Sequence, residues 1–488
     1  MANNDDQLAL DLKVQAAPTK SFFVDMLTRD ISLDDAILDL LDNCLDGVIR
    51  QNKKKGERQL DESKPYAGYF AKINFDRSQF RIEDNCGGIE RNRAQNQAFK
   101  LGRPKDSVEE HLGTIGAYGI GMKRAIFKMG RSATIETQNE NDRISVKIEP
   151  EWMENDNTWD LELESLSATD QNGTTITVRS LHHQISGQFD SRHSNFEKDI
   201  SEKIAALFTL IMEKGFEVYV NNRLVVRKPL TLLFDRGAVT GKHDSGLGAY
   251  LYSFSDDGLK IDIALGFLAR MKKKYLEEAL EGIVEGDDAL EGEIREEAGW
   301  SILCNERAVV YKDRSERTGW GGAGNAPKYH PQFRNITGIV SFHSDDPKKL
   351  PLTTTKHGID WGDTNYLKVK KYMTEALKEF SSYTNNWKGS NQEEEKFFKR
   401  AESVSIEEIR STLPSEKWQT IRNSDGKEKK YIPNLPKPER KENKKWIRFS
   451  KTKEEIQEVS QFLYDTTESD HSKVGESCFD FVLKESRK

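Results

Sequence analysis

The stretch Ile31 to Arg50, ISLDDAILDLLDNCLDGVIR, constrains the fold more than any other part of the chain. Ile37, Leu40, Cys44 and Val48 recur at helical spacing, and Ser32 stands three residues ahead of Asp35 in a capping-box-like start. The spacing predicts an amphipathic helix with one face in a core. Along its other face Asp39, Asn43 and Asp46 fall at i, i+4 and i+7, so three oxygen-bearing side chains stack on one stripe. Acidic helix faces are usually just solvated. An amide one turn beyond a carboxylate can also ligate Mg²⁺ while the carboxylate orients a water for phosphate hydrolysis, and the pattern alone leaves both readings open.

Two further motifs follow. Residues 66–75 and 78–85 alternate like a β-hairpin, and the second strand runs into Asp84-Asn85-Cys86-Gly87-Gly88-Ile89. A carboxylate held by a glycine turn can accept a hydrogen bond from an exocyclic amine, while the glycines let a flat ring approach the backbone; an ordinary turn is the plainer reading. The run Gly113-Thr114-Ile115-Gly116-Ala117-Tyr118-Gly119-Ile120-Gly121-Met122-Lys123 then leads into a helix. Its glycines free backbone N–H groups to face phosphate oxygens at a helix N-terminus, and Lys123 adds a positive charge. No G-K-[ST] follows and no strand immediately precedes it, so neither the Walker A nor the dinucleotide pattern applies. A flexible loop is the alternative.

Strands are expected at 132–138, 143–150, 159–166 and 173–180, with a helix over 195–215. A second α+β region is read from 216, with Asn221-Asn222 as a turn and strands near 247–255 and 259–268. Ten acidic residues and one Arg between Glu277 and Glu297 mark a solvated segment. Residues 381–400 read as a long polar helix, 434–446 as a linker, and the chain ends in two short amphipathic helices.

In their order, and followed by Gly173-Thr174-Thr175-Ile176-Thr177, the three motifs resemble the GHKL ATPase superfamily, which includes type II topoisomerase ATPase subunits, MutL and MORC proteins, ninety-kilodalton heat-shock chaperones and histidine kinases. The resemblance covers roughly the first half of the chain. It implies an α+β architecture: a Bergerat-type α/β sandwich that binds ATP over 1–214, a βαβ transducer-like domain over 215–385, and a helical and linker region over 386–488 for docking a partner or nucleic acid. By resemblance Asp39 is the general base and Asn43 the Mg²⁺ ligand, with Asp46 nearby. Most hydrolysing relatives carry Glu where Asp39 stands, and the shorter side chain predicts slow or partner-dependent turnover. Asp84 would bind the adenine amino group with support from Thr174, and Gly88 would admit the base. Residues from about 90 to 122 would be a lid closing over ATP, hinged at Gly116, with Gly119 and Gly121 cradling phosphates beside Met122, and Lys123 helping. Cys86 replaces the usual first glycine, which is tolerable if its φ is negative. Leu350-Pro351-Leu352-Thr353-Thr354-Thr355-Lys356-His357-Gly358 resembles the transducer loop whose lysine reaches the γ-phosphate, which makes Lys356 the candidate sensor. Residues 1–30 could be an arm exchanged in an ATP-gated homodimer or a strap packed on the same chain.

Composition narrows what the ATP would drive. At 488 residues the chain suits two or three domains. Four scattered cysteines suit a reducing compartment and form neither a disulfide framework nor a Cys-x-x-Cys site. With no apolar run of membrane-spanning length and no secretory signal, a cytoplasmic protein without membrane contact is expected. The net charge of −7 argues against a basic coat over the whole surface. Residues Lys437 to Lys453 nonetheless carry eight basic and two acidic residues with Trp446 and Phe449, a pattern suited to phosphate contact and base stacking as well as to a solvated linker. The favoured expectation is an ATP-gated, Mg²⁺-dependent dimeric clamp on nucleic acid, MORC-like, in genome maintenance or antiviral defence. The alternatives are a chaperone-like remodeller and an ATP-binding scaffold with little hydrolysis.

Overall fold

The computed structural model describes residues 19–55, 63–100, 119–140, 142–156, 158–268, 298–322, 326–353, 358–388, 391–422, 424–438 and 447–487. Residues up to 437 form one unit and residues from 438 onward another.

Helix α1 (Lys20–Thr28) packs on its own chain. The buried Lys20 ammonium donates to the carbonyls of Trp152 (2.7 Å) and Asn155 (2.5 Å) and lies 3.9 Å from the centre of the Trp152 ring. The helix expected from the first motif forms as α2 (Leu33–Lys55). The Ser32 hydroxyl accepts the Asp35 N–H at 3.2 Å, which satisfies one of the donors a helix start leaves open.

The first sheet comprises β1 (Phe70–Phe75), β2 (Phe80–Asp84), β3 (Gly130–Gln138), β4 (Arg143–Ile148), β5 (Leu163–Leu166), β6 (Gly173–Leu181), β7 (Glu217–Val220) and β8 (Arg223–Leu224), ordered β5-β4-β3-β6-β2-β1-β7-β8. Helix α3 (Gly121–Met129) leads directly into β3. Ile37, Leu40 and Leu41 of α2 and Ala125, Ile126 and Met129 of α3 share one core with Ile73, Ile82, Ile135 and Val178 of the sheet. Each fully buried side chain of this size contributes about 1.5–3 kcal/mol, so the core fixes α2 and α3 against the strands. The predicted helix over 195–215 breaks at Phe208, leaving α4 (Phe196–Leu207) and a short turn of helix at Thr209–Glu213.

The boundary expected at 214 falls inside this first layer. β7 pairs in parallel with β1, and Asn221 and Asn222, with φ of 46° and 63°, make the tight turn into β8. Local alternation revealed these strands; their membership of the first sheet is set by a long-range pairing that local pattern does not carry.

The second sheet runs β13-β12-β14-β11-β10-β17-β16. Its strands are β10 (Tyr250–Asp256), β11 (Leu259–Phe267), β12 (Gly299–Cys304), β13 (Arg307–Asp313), β14 (Ile336–Ser344), β16 (Gln419–Thr420) and β17 (Glu428–Tyr431), with β12 and β14 parallel and the other pairs antiparallel. A separate pair joins β9 (Thr231–Phe234) to β15 (Glu402–Ser405). Helix α5 (Thr364–Asn386) covers this sheet with Val369, Met373, Leu377 and Phe380.

Residues beyond 386 were expected to form a helical and linker region. Up to 437 they belong instead to the second layer: β15 to β17 pair there, Phe397 and Phe398 enter its core, and Tyr372 donates to the buried Glu428 at 2.8 Å. The polar sequence concealed this because charged side chains here pair with charges from other elements, as Lys368 does with Glu428 at 2.7 Å. The second unit contains two helices, α6 (Lys453–Tyr464) and α7 (His471–Ser486), as the sequence predicts.

Candidate functional site

From Ala36 to Val48, α2 is buried at every position except one. The exception is Asn43, which is exposed and sits one turn beyond the buried Asp39. A helix enclosed on all sides that opens to water at a single amide faces a cleft there, and its amide oxygen can bind a hard cation. Asp46 is buried one turn further along.

The Asp84 turn lies against the same helix. A Cβ on Gly47 would come within 2.7 Å of the Cys86 carbonyl oxygen, so the absence of a side chain on α2 admits the turn. Cys86 N–H donates to the Asp84 carboxylate at 2.7 Å, and the Cys44 thiol donates to its other oxygen at 3.5 Å. Positive φ falls on Gly87 (97°) and Gly88 (69°) and not on Cys86, which is why a cysteine fits that position. A Cβ on Gly88 would meet the Gln138 carbonyl oxygen at 1.9 Å.

Asp84 pairs in register with Thr174 on β6. The Thr174 hydroxyl meets that of Thr137 on β3 at 3.0 Å, and Thr137 accepts the Ile89 N–H at 2.8 Å. Thr137 therefore ties the far end of the turn to Thr174. The sequence reading did not single it out, because it lies in an unremarkable alternating strand and gains its place only by sheet register. Asp84 keeps some surface open to the cleft, yet loss of water around its carboxyl pushes its pKa up to about 6, against the opposing pull of bonds from Cys86, Cys44 and Thr174. A largely buried carboxylate with one wall of backbone and glycine suits a single amine donor on a flat ring.

The third motif closes the other end. Gly119 has φ of 69°, and a Cβ on Gly121 would lie 3.4 Å from an Asp39 oxygen, so α3 begins directly over Asp39. Met122 is partly buried against the first core. Arg124, one turn into α3, contacts Asp39 at 2.5 Å, with both side chains largely buried. Its Nε is buried without a partner among the described residues. Sequence reasoning passed over Arg124 because nothing local announces that it faces α2.

The positive charge expected at the phosphates from Lys123 is engaged elsewhere. Its ammonium is buried and donates to the carbonyls of Ala98 (2.8 Å), Lys100 (2.7 Å) and Gly119. Burial lowers its pKa to about 8. In this structure Lys123 ties backbone ahead of the glycine run to Gly119 within it and does not present a free charge. Gly116 and Lys356 lie outside the described residues, as does most of the expected lid.

Asp39, Asn43, Asp46, Asp84, Gly88, Thr174, Gly119, Gly121 and Met122 are thus assembled around α2 and the adjoining end of the first sheet. No group of three or more His, Cys, Asp or Glu side chains with metal-binding geometry occurs among the described residues. If Mg²⁺ binds here, the exposed Asn43 amide oxygen would be a protein ligand, with phosphate oxygens and water completing the set. No helix among the described residues is long and apolar enough to cross a membrane.

Comparison with known proteins agrees with this geometry. Residues 31–185 match the family model described as Histidine kinase-, DNA gyrase B-, and HSP90-like ATPase. No curated protein matches the chain. The matched span starts at Ile31, just ahead of α2, and ends just beyond β6, so it contains every element of the cleft. Residues 31–185 form an ATP-binding domain of the GHKL ATPase superfamily.

Proposed function

We propose that this chain binds MgATP in the cleft between α2, the Asp84–Gly88 turn and the start of α3, and hydrolyses it to ADP and phosphate. The observation that carries the reading is the single opening of α2 at Asn43, with Asp39 buried one turn before it and Asp84 held across from the helix by Cys44 and Cys86. Asp84 accepts from the adenine amine, the missing side chains of Gly88 and Gly173 let the turn pack against the Gln138 and Asp84 carbonyls, and Asn43 offers its amide oxygen to the cation. The Mg²⁺ would neutralise charge on the phosphates and fix their orientation. Asp39 orients the attacking water and takes its proton once Arg124 releases it. With Arg124 in place Asp39 is an ion-pair partner, so hydrolysis is slow until nucleotide draws the guanidinium away.

The wider reading is a dimeric clamp acting on nucleic acid, with the second layer as transducer-like region and Lys356 as sensor. Its support is the superfamily and the basic stretch from Lys437 to Lys453. The Asp39–Arg124 pair favours a second reading, a nucleotide-gated switch with little turnover of its own.

Steady-state phosphate release with MgATP, with and without duplex DNA, separates these readings when Asp39→Asn is run beside the wild type. Turnover lost in Asp39→Asn and raised by DNA supports the clamp. ATP binding without turnover under any of these conditions supports the switch, and absence of ATP binding removes both.

A further inference from the structure

The two residues that join β12 to β13, Asn305 and Glu306, form a tight turn with φ of 46° and 71°. Left-handed backbone suits Asn and is unfavourable for Glu, so the surroundings must hold the turn in place. They do so from two directions. On the side of the second sheet, Asn305 Nδ2 donates to the Ser344 carbonyl at 3.0 Å and its Oδ1 accepts the Ser344 N–H at 3.0 Å, clasping the end of β14. On the side of the first layer, Glu306 accepts from the Tyr66 hydroxyl at 2.9 Å and from the Lys214 ammonium at 2.7 Å.

Arg307, the next residue, reaches α2. Its Nε donates to Asp42 at 3.0 Å, its guanidinium lies 4.3 Å from the centre of the Phe208 ring, and a further nitrogen donates to the Ala308 carbonyl. Both partners of the pair are almost wholly enclosed, with side-chain exposures of 4% and 5%. Cohesion between the layers does not need this pair, because Leu303, Ala308 and Ile339 of the second sheet already meet Leu207 of α4 and Leu210 of the helical turn after it in an apolar seam. A buried ion pair is a costly means of adhesion, and its distinctive return is geometric: bonds from a planar guanidinium fix position where apolar packing tolerates sliding. The residue it fixes immediately precedes Asn43.

We propose that Arg307 is a positioning residue for the nucleotide site: through Asp42 it sets the placement of Asn43, so that the second sheet governs how well the site binds Mg²⁺ with its nucleotide. This rests on the MgATP reading above. Information passes along bonds already named, from the Ser344 end of β14 through Asn305 and Arg307 to α2.

The test compares ATP affinity in Mg²⁺ with ATP affinity in EDTA, by calorimetry on the full chain. For Arg307→Met, affinity in EDTA should stay within about twofold of wild type, since Asp84 and Gly88 are untouched, while the gain on adding Mg²⁺ should fall by about tenfold or more. The double variant Asp42→Asn with Arg307→Met leaves no unpaired buried charge, so it remains informative if the single variant fails to fold; it should show the same loss of Mg²⁺ gain. Equal Mg²⁺ gain in the folded double variant and the wild type would overturn the proposal and leave the MgATP reading standing. A wild-type protein that binds no ATP would overturn both.

Discussion

Lowering the pH should weaken nucleotide binding through Asp84 specifically. Its carboxyl has an unperturbed value of 3.8 and is raised to about 6 by burial in the free protein. Adenine recognition needs the ionised form, an acceptor at both oxygens. With a pKa near 6, roughly nine-tenths of the sites are ionised at about pH 7 and roughly one-tenth at about pH 5, so intrinsic affinity should fall by about tenfold over that interval. The assay is ADP binding by calorimetry at each pH for wild type and Asp84→Asn. The difference between the two proteins removes the titration of the nucleotide's own phosphates. Proton release on binding near pH 6 should also appear in the wild type as a dependence of the heat on buffer. The same shift acts on folding with a definite sign. Because the folded value is raised, the stabilisation from protonated Asp84 is fully present below pH 3.8 and lost as pH rises through about 6. The span is on the order of 3 kcal/mol, so Asp84→Asn should melt no lower than wild type at neutral pH. Parallel pH profiles for the two proteins would refute the assignment of a buried, proton-linked Asp84 to the nucleotide site.

Three other outcomes follow from single contacts. Gly88→Ala combines a positive φ with a Cβ 1.9 Å from the Gln138 carbonyl oxygen, so it should cost about 2 kcal/mol or more in denaturant unfolding and reduce nucleotide affinity with it; a stable variant with normal affinity would contradict the described turn. Asn43→Ala alters an exposed position, so stability should change by no more than about 0.5 kcal/mol while the Mg²⁺-dependent part of ATP affinity is lost, a split that melting and calorimetry together resolve. Arg124→Met leaves Asp39 buried without this partner and should lower stability by about 3 kcal/mol at neutral pH, measured by urea unfolding; no loss would mean the contact with Asp39 is absent in solution.

The parts of the site legible in sequence are those whose chemistry is local. The helix of Asp39 and Asn43 announces itself by 3.6-residue spacing, and the Asp84 turn by a strand that ends in paired glycines. Cys86 in place of glycine was reconcilable in advance because the requirement is only that its φ not be positive. What stayed hidden depends on distant partners. Thr137 acquires its role from the register of β3 on β6, Arg124 from the packing of α3 on α2, and the inclusion of β7, β15 and β17 in their sheets from pairings across long stretches of chain. Lys123 is the instructive case. A lysine after a glycine run reads as a phosphate ligand, but three backbone carbonyls compete for the same ammonium, and in this conformation they win.

The most direct test of the central claim is equilibrium binding of ATP to the full chain in EDTA and in Mg²⁺, repeated with Asp84→Asn and Asn43→Ala. The account predicts that Asp84→Asn weakens binding in both conditions and that Asn43→Ala weakens it only when Mg²⁺ is present. Binding that is indifferent to Asp84 would place the nucleotide elsewhere and contradict the account at its base.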